Sequence, residues 1–186
     1  MSKAKEIVSR MTNEEKALLL LGKDFWRLAD FEQYGLPSVM VSDGPHGLRK
    51  QAGTGDNMGF NQSVPAVCYP TACATACSFD EGLLAEMGQA LGDECREQGV
   101  SVLLGPGVNH KRSPLCGRNF EYFSEDPCLT GALAAAFING VQSRGVGTSL
   151  KHFAANSQET ARNICDSAVD ERALREIYLR AFETAI

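Results

Sequence analysis

Apolar and polar positions fall into alternating blocks along the 186 residues. The run KALLLLG follows Thr12 and Glu15, a pair with capping-box spacing, in which each side chain can satisfy the other's exposed backbone N–H. This predicts a short first helix that stops at Gly22. Residues 39–42 form a short apolar strand broken by Asp43-Gly44-Pro45, so the strand ends at a carboxylate. Gln51 to Gln62 is polar and Gly-rich and reads as a long loop. PTACATACS is a candidate additional strand. Ser78 and Glu81 have the spacing of a second capping box, before a helix that closes at Gly99. VSVLLGPGVN, from Val100 to Asn109, is a second buried strand, and HKRSPLCGRNFEYFSEDP is the long loop after it. CLTGALAAAFINGVQSRG reads as a helix ending at Gly145, VGTSLKHF as a third strand, and the segment from Asp170 onward as a helix with that aspartate near its start.

Strand, loop and helix therefore alternate, the pattern of a parallel α/β architecture with polar loops after the carboxyl ends of the strands, where such folds bind ligands. The expected fold is a partial (β/α)8 TIM-like barrel, incomplete at Ile186. A full barrel needs roughly 200 residues or more, and three clear strands leave open edges that invite pairing. The remaining barrel strands are expected from further polypeptide or from a complementary chain.

Charge and cysteine usage narrow the partners. The formal net charge of -5 argues against a nucleic-acid or membrane-surface binder, either of which needs a basic field. No apolar run approaches the roughly 18 residues of a membrane span, and acidic residues interrupt the amino terminus where a signal core would lie, so a cytoplasmic location is expected. The 7 cysteines are odd in number and contain no CxxC pair. They are read as small reduced interior residues, with neither a disulfide framework nor a metal site.

The polar residues after the three strands supply the candidate chemistry: Asp43, His46 and Arg49; Asn109, Lys111, Arg112 and Arg118; Lys151, His152, Asn156, Glu159 and Arg162. One carboxylate among several cations and amides suits a ligand dense in hydroxyls, and equally a phosphate. Each has a structural alternative: Asp43 as a turn residue, Arg118 bridging Glu121 or Asp126, Lys151 in an ion pair beside a core histidine, Arg162 as a solvated charge. Lys151 and His152 are adjacent, and adjacent strand residues point to opposite faces. The two reach one ligand only if the backbone leaves strand geometry there. GPGVN lacks the spacing of a nucleotide loop, and no cofactor is expected.

The segments VSDGPHGLRK, LLGPGVNHKRSPLCGRNFEYFSEDP, SLKHFAANSQETAR and DERALREIYLRAF, in this order, resemble the amino-terminal barrel domain of glycoside hydrolase family 3, especially its β-glucosidases. The resemblance implies that residues 1–186 are the amino-terminal portion of a single barrel domain, with the remaining strands and a second α/β domain elsewhere. It implies a pocket for the terminal sugar of a β-glucoside or oligosaccharide. Asp43 would accept from sugar hydroxyls, Arg118, Lys151 and His152 would donate to them, and Arg49 and Arg162 would shape the pocket. The family nucleophile is an aspartate in an SDW-like motif on a later strand, and the acid/base comes from a later domain. No catalytic residue is therefore expected in this chain, which alone would be inactive. His110 departs from the aliphatic residue the family often carries there. The alternative is a sugar-binding or interaction module that assembles with another chain.

Overall fold

The computed structural model describes residues 2–53 and 61–186. Two short helices open the chain, α1 (Lys3–Arg10) and α2 (Asn13–Leu19). The Thr12–Glu15 capping box forms as expected: the Thr12 N–H donates to Glu15 Oε2 at 2.8 Å, and the Glu15 N–H to Thr12 Oγ1 at 3.1 Å. The helix ends near Leu20 rather than at Gly22, and α1 before it was not anticipated.

Three parallel strands follow in the order β1 (Val41–Asp43), β2 (Val102–Leu104), β3 (Gly147–Thr148). All are shorter than the apolar runs suggested; β1 is shifted one residue past its run, and β2 and β3 occupy the early part of theirs. The register pairs Asp43 with Leu104 and Leu103 with Thr148. Side chains alternate across this sheet. Ser42 and Leu103, both almost fully buried, turn outward to the helices, whereas Val41, Asp43 and Leu104 turn to the opposite face, with Ser149 and Lys151 beyond β3. The sheet thus separates an apolar layer from a pocket that carries charged groups among apolar walls.

Residues 26–28 run antiparallel to the start of β1. Arg27 bridges Met40, the Leu28 N–H donates to the Val39 carbonyl at 2.9 Å, and the Val41 N–H to the Trp26 carbonyl at 2.8 Å. This segment covers part of the β1 edge that the sequence left open.

The outer layer is built on α4 (Glu81–Glu97), α5 (Pro127–Ser143) and the carboxyl-terminal helical segment. Leu84, Leu91, Leu133, Phe137, Val141 and Phe182 join Leu103 in one buried cluster. Helices α4 and α5 cross at glycines: a Cβ on Gly88 would overlap the Phe137 carbonyl oxygen, and one on Gly140 the Ala85 carbonyl oxygen. Backbone-to-backbone packing of this closeness excludes any side chain.

Several local expectations need correction. PTACATACS is not a strand but carries helix α3 (Ala72–Ala76). Its small residues let α3 sit close to the loop after β1, where the Ala72 N–H donates to His46 Nε2 at 3.0 Å. Helix α4 is capped by Asp80, which accepts from the Leu83 N–H at 3.1 Å, not by Ser78, whose hydroxyl accepts from the Asp80 N–H. The last helix is not continuous. Asp170 caps α6 (Glu171–Ala173) as anticipated, but a π-helical turn over Leu174–Tyr178 separates it from α7 (Arg180–Ala185). The cysteines are all unpaired, yet only Cys95 and Cys116 are buried, while Cys68, Cys77, Cys128 and Cys165 are exposed. The anticipated loop from Gln51 to Gln62 lies largely outside the described residues, although its two ends pair through Gln51 and Ser63. Among the described residues, no helix is long and apolar enough to cross a membrane.

Candidate functional site

The carboxyl ends of the three strands open into a pocket of about 470 Å³. It is lined by Asp43, Leu104, Arg118, Ser149, Lys151 and His152, with Phe25 and Trp26 on one side. Asp43 arrives as the last residue of β1. The turn behind it requires Gly44, whose φ of 117° is strained for any side chain. The Arg49 N–H closes that turn on the Asp43 carbonyl at 2.9 Å.

Lys151 reaches the same point from β3. Its Nζ lies 2.7 Å from Asp43 Oδ1 and 3.6 Å from Glu121 Oε2. Glu121 is itself paired with Arg118 and is 6% exposed. The Lys151–Glu121–Arg118 chain places one buried carboxylate between two cations, which offsets the cost of taking either cation out of water.

Lys151 keeps a parallel bridge to Gly107, and the backbone leaves strand geometry immediately after it. The Lys151 N–H donates to the Pro106 carbonyl at 3.1 Å and its carbonyl accepts from the Val108 N–H at 2.8 Å. The next backbone group finds no strand partner: the His152 N–H donates instead to Asn109 Oδ1 at 2.7 Å, and Asn109 Nδ2 donates to the His152 carbonyl at 2.9 Å. With its peptide held by a side chain, His152 enters the same pocket as Lys151. Its Nε2 lies 2.7 Å from Arg118 Nη2 and its Nδ1 lies 3.0 Å from the Tyr122 hydroxyl.

The electrostatics follow from this packing. Burial on its own would raise the Asp43 carboxyl, but the Lys151 charge and hydrogen bond, the Gly44 N–H and the Arg49 charge outweigh it, so Asp43 lies below the ordinary carboxylate range. Burial, reinforced by the Arg118 and Lys151 charges, pushes His152 down to about 4. Burial pushes the Tyr122 phenol up to about 12. At neutral pH the pocket presents a carboxylate and a neutral imidazole among cations, with the neutral Tyr122 phenol buried behind the imidazole.

The structure thus brings together Asp43, Arg118, Lys151 and His152. Arg49 stays on the turn behind Asp43. Arg162 does not line the pocket: its side chain is 59% exposed and pairs with Glu159 Oε2 at 3.0 Å. Glu159 in turn lies 3.9 Å from Arg118 Nη1, so Arg162 is one carboxylate removed. Glu121 was foreseen only as an alternative partner of Arg118. Nothing in the local pattern marks Phe25 and Trp26 as pocket residues, or Tyr122 as the buried partner of His152, since tertiary contacts alone bring them there. Among the described residues, no group of three or more histidine, cysteine or acidic side chains is arranged to hold a metal.

A pocket at the carboxyl ends of a parallel α/β sheet, lined by one carboxylate and several hydrogen-bond donors, is what this geometry defines. The model of the glycosyl hydrolase family 3 N-terminal domain matches residues 28–186, and the chain belongs to that family. It is 58% identical over 182 residues to thermostable beta-glucosidase B of Acetivibrio thermocellus, covering 98% of this chain and 24% of the relative. It is 52% identical over 177 residues to an exo-alpha-(1->6)-L-arabinopyranosidase of Bifidobacterium longum, covering 95% of this chain and 23% of that protein. Among solved structures, beta-glucosidase 3B of Thermotoga neapolitana in complex with alpha-D-glucose superposes with a TM-score of 0.88 at 44% identity, over 99% of this chain and 27% of the other. Beta-glucosidase of Kluyveromyces marxianus in complex with glucose superposes with a TM-score of 0.90 at 39% identity, over 99% of this chain and 21% of the other. The chain therefore has the barrel fold of β-glucosidase-like family 3 amino-terminal domains and spans about a quarter of the length of these relatives.

Proposed function

We propose that this chain supplies most of the first sugar subsite of a retaining β-glucosidase-like hydrolase that releases terminal, non-reducing β-D-glucosyl residues. The carrying observation is the Lys151–Asp43 pair at 2.7 Å, opening on a pocket that Arg118 and His152 also line. A pyranose ring offers adjacent hydroxyls, each both donor and acceptor. Asp43 accepts from them, Lys151 and Arg118 donate, and His152 shares the same wall. Arg49 supports the pocket from the turn behind Asp43, and Arg162 acts at one remove, through Glu159. The relatives solved with glucose support this reading.

Retaining hydrolysis needs a nucleophilic carboxylate and a general acid about 5 to 5.5 Å apart. Asp43 is held ionised by Lys151, unsuited to a general acid, and Glu121 is engaged by both Arg118 and Lys151. Asp43 is read as a binding group, and Glu121 as the buried partner of the two cations. The catalytic carboxylates are assigned to other parts of the full enzyme, in the remaining barrel strands and a second domain, and the 186-residue chain alone is read as inactive. The reaction uses water and no cofactor. The arabinopyranosidase relative favours a second sugar, a pentopyranose lacking the hydroxymethyl arm of glucose.

The test is titration of the chain with glucose and with arabinose by ligand-detected NMR, alongside hydrolysis assays on nitrophenyl β-D-glucoside and α-L-arabinopyranoside. Saturable binding without turnover is expected, with binding weakened about tenfold or more in Asp43→Asn. Turnover that disappears in Asp43→Asn would overturn the assignment of the catalytic carboxylates elsewhere.

A further inference from the structure

Asn109 is 1% exposed and does not line the sugar pocket, yet both ends of its amide are used on one residue. Nδ2 donates to the His152 carbonyl at 2.9 Å and Oδ1 accepts from the His152 N–H at 2.7 Å. The side chain thus takes the place of a neighbouring strand's peptide unit, at the point where the ladder ends. This two-sided grip also settles which way the amide faces, since reversing it would set donor against donor and acceptor against acceptor.

The orientation has a consequence for the imidazole. Arginine only donates hydrogen bonds, so His152 Nε2, 2.7 Å from Arg118 Nη2, must offer its lone pair. A neutral ring with an unprotonated Nε2 carries its proton on Nδ1. That proton faces the Tyr122 hydroxyl oxygen at 3.0 Å and Asn109 Oδ1 at 3.4 Å. The Tyr122 oxygen also accepts from Asn156 Nδ2 at 2.9 Å. The ring is ringed by groups that agree on one tautomer, and burial beside two cations keeps it neutral.

We propose that Asn109 is a positioning residue of the sugar pocket: it clamps the His152 peptide and presets the imidazole as the Nδ1–H tautomer, whose Nε2 turns the Arg118 guanidinium toward the ligand. The inference rests on the sugar-binding reading for its purpose, but not for its structural content. It changes the part His152 plays. In the resting site the imidazole is an acceptor that aims Arg118, not a free donor awaiting a sugar hydroxyl.

The test uses long-range 1H–15N correlation spectra of the uniformly labelled chain at pH 7, with the His152 ring assigned by its disappearance in His152→Gln. The expected spectrum shows a single tautomer with Nδ1 protonated. Asn109→Ala should give a mixed tautomer and weaken glucose binding about tenfold, the scale of one hydrogen bond. Asn109→Asp keeps the acceptor but loses the donor to the carbonyl, and should retain the Nδ1–H tautomer; with the parent spectrum it decides the matter if the alanine variant does not fold. An Nε2–H tautomer in the parent chain, or a pure Nδ1–H tautomer persisting in folded Asn109→Ala, overturns the proposal. Failure of the parent chain to bind glucose overturns the sugar reading instead, and leaves the tautomer result to decide the role of Asn109.

Discussion

Lys151 Nζ lies 2.7 Å from Asp43 Oδ1, although 108 residues separate them in the chain. Both sit on the same face of a three-stranded sheet, one at the end of β1 and one just past β3, with β2 between them. The pair joins the two outer strands across the mouth of the pocket and leaves other carboxylate and ammonium positions for a ligand.

Replacing Asp43 with Asn removes the charge but keeps the shape. Lys151 retains Glu121 as a partner at 3.6 Å, and the Asp43 side chain is 36% exposed, so the stability loss should be small, on the order of 1 kcal/mol. Sugar affinity should fall much further, by about tenfold or more, because a charge-assisted acceptor is lost. Urea denaturation and glucose titration of the same variant separate the two effects. Equal losses in both would contradict a binding role.

Glu121 should behave in the opposite way. It is buried between Arg118 and Lys151 and is the group that makes their proximity tolerable. Glu121→Gln leaves two partly buried cations facing each other, with an expected destabilisation of about 3 kcal/mol. The unfolding midpoint in urea checks this, and a midpoint like that of the parent chain would show that solvent screens the pair.

His152 gives a stability change with a defined sign. Its ordinary value is 6.5 and the folded value about 4, depressed by burial and then by the Arg118 and Lys151 charges. Between those values the unfolded chain binds a proton that the folded chain does not, so its contribution is complete above about 6.5 and is lost as pH falls toward 4. His46 is also lowered by burial and acts in the same direction, so the contribution of His152 is the difference between the parent chain and His152→Gln. Melting temperatures from pH 7 to pH 4.5 should fall more steeply for the parent. Asp43, held below its ordinary value, adds its loss only at lower pH.

Gly140→Ala should be strongly destabilising despite the helix preference of alanine. The new Cβ meets the Ala85 carbonyl oxygen of α4, and backbone cannot step aside as a flexible side chain can. A cost of about 1–3 kcal/mol is expected from overpacking, set against the 0.5–1 kcal/mol that Gly→Ala ordinarily gains inside a helix. Thermal unfolding of the single variant decides the sign.

The sequence by itself determined the chain order of the three strands and the longer helices, the parallel α/β class and the carboxyl-end location of the candidate site. These follow from local physics: apolar runs of strand length, a capping box at Thr12 and Glu15, a capping aspartate at Asp170, and polar residues gathered where each run stops. The family resemblance placed Asp43, Arg118, Lys151 and His152 in one site before any contact among them was visible. Local pattern misread PTACATACS, whose small residues are compatible with helix or strand until neighbours select one. It also had no means of finding the antiparallel residues 26–28, Tyr122 beside His152, or the clamp from Asn109. Those depend on which polar groups meet after the chain has closed on itself. Only the tertiary structure decided that Lys151 pairs with Asp43, that Glu121 lies beneath both cations, and that Arg162 remains outside at Glu159, because each outcome is set by burial and partner distance between residues far apart in sequence.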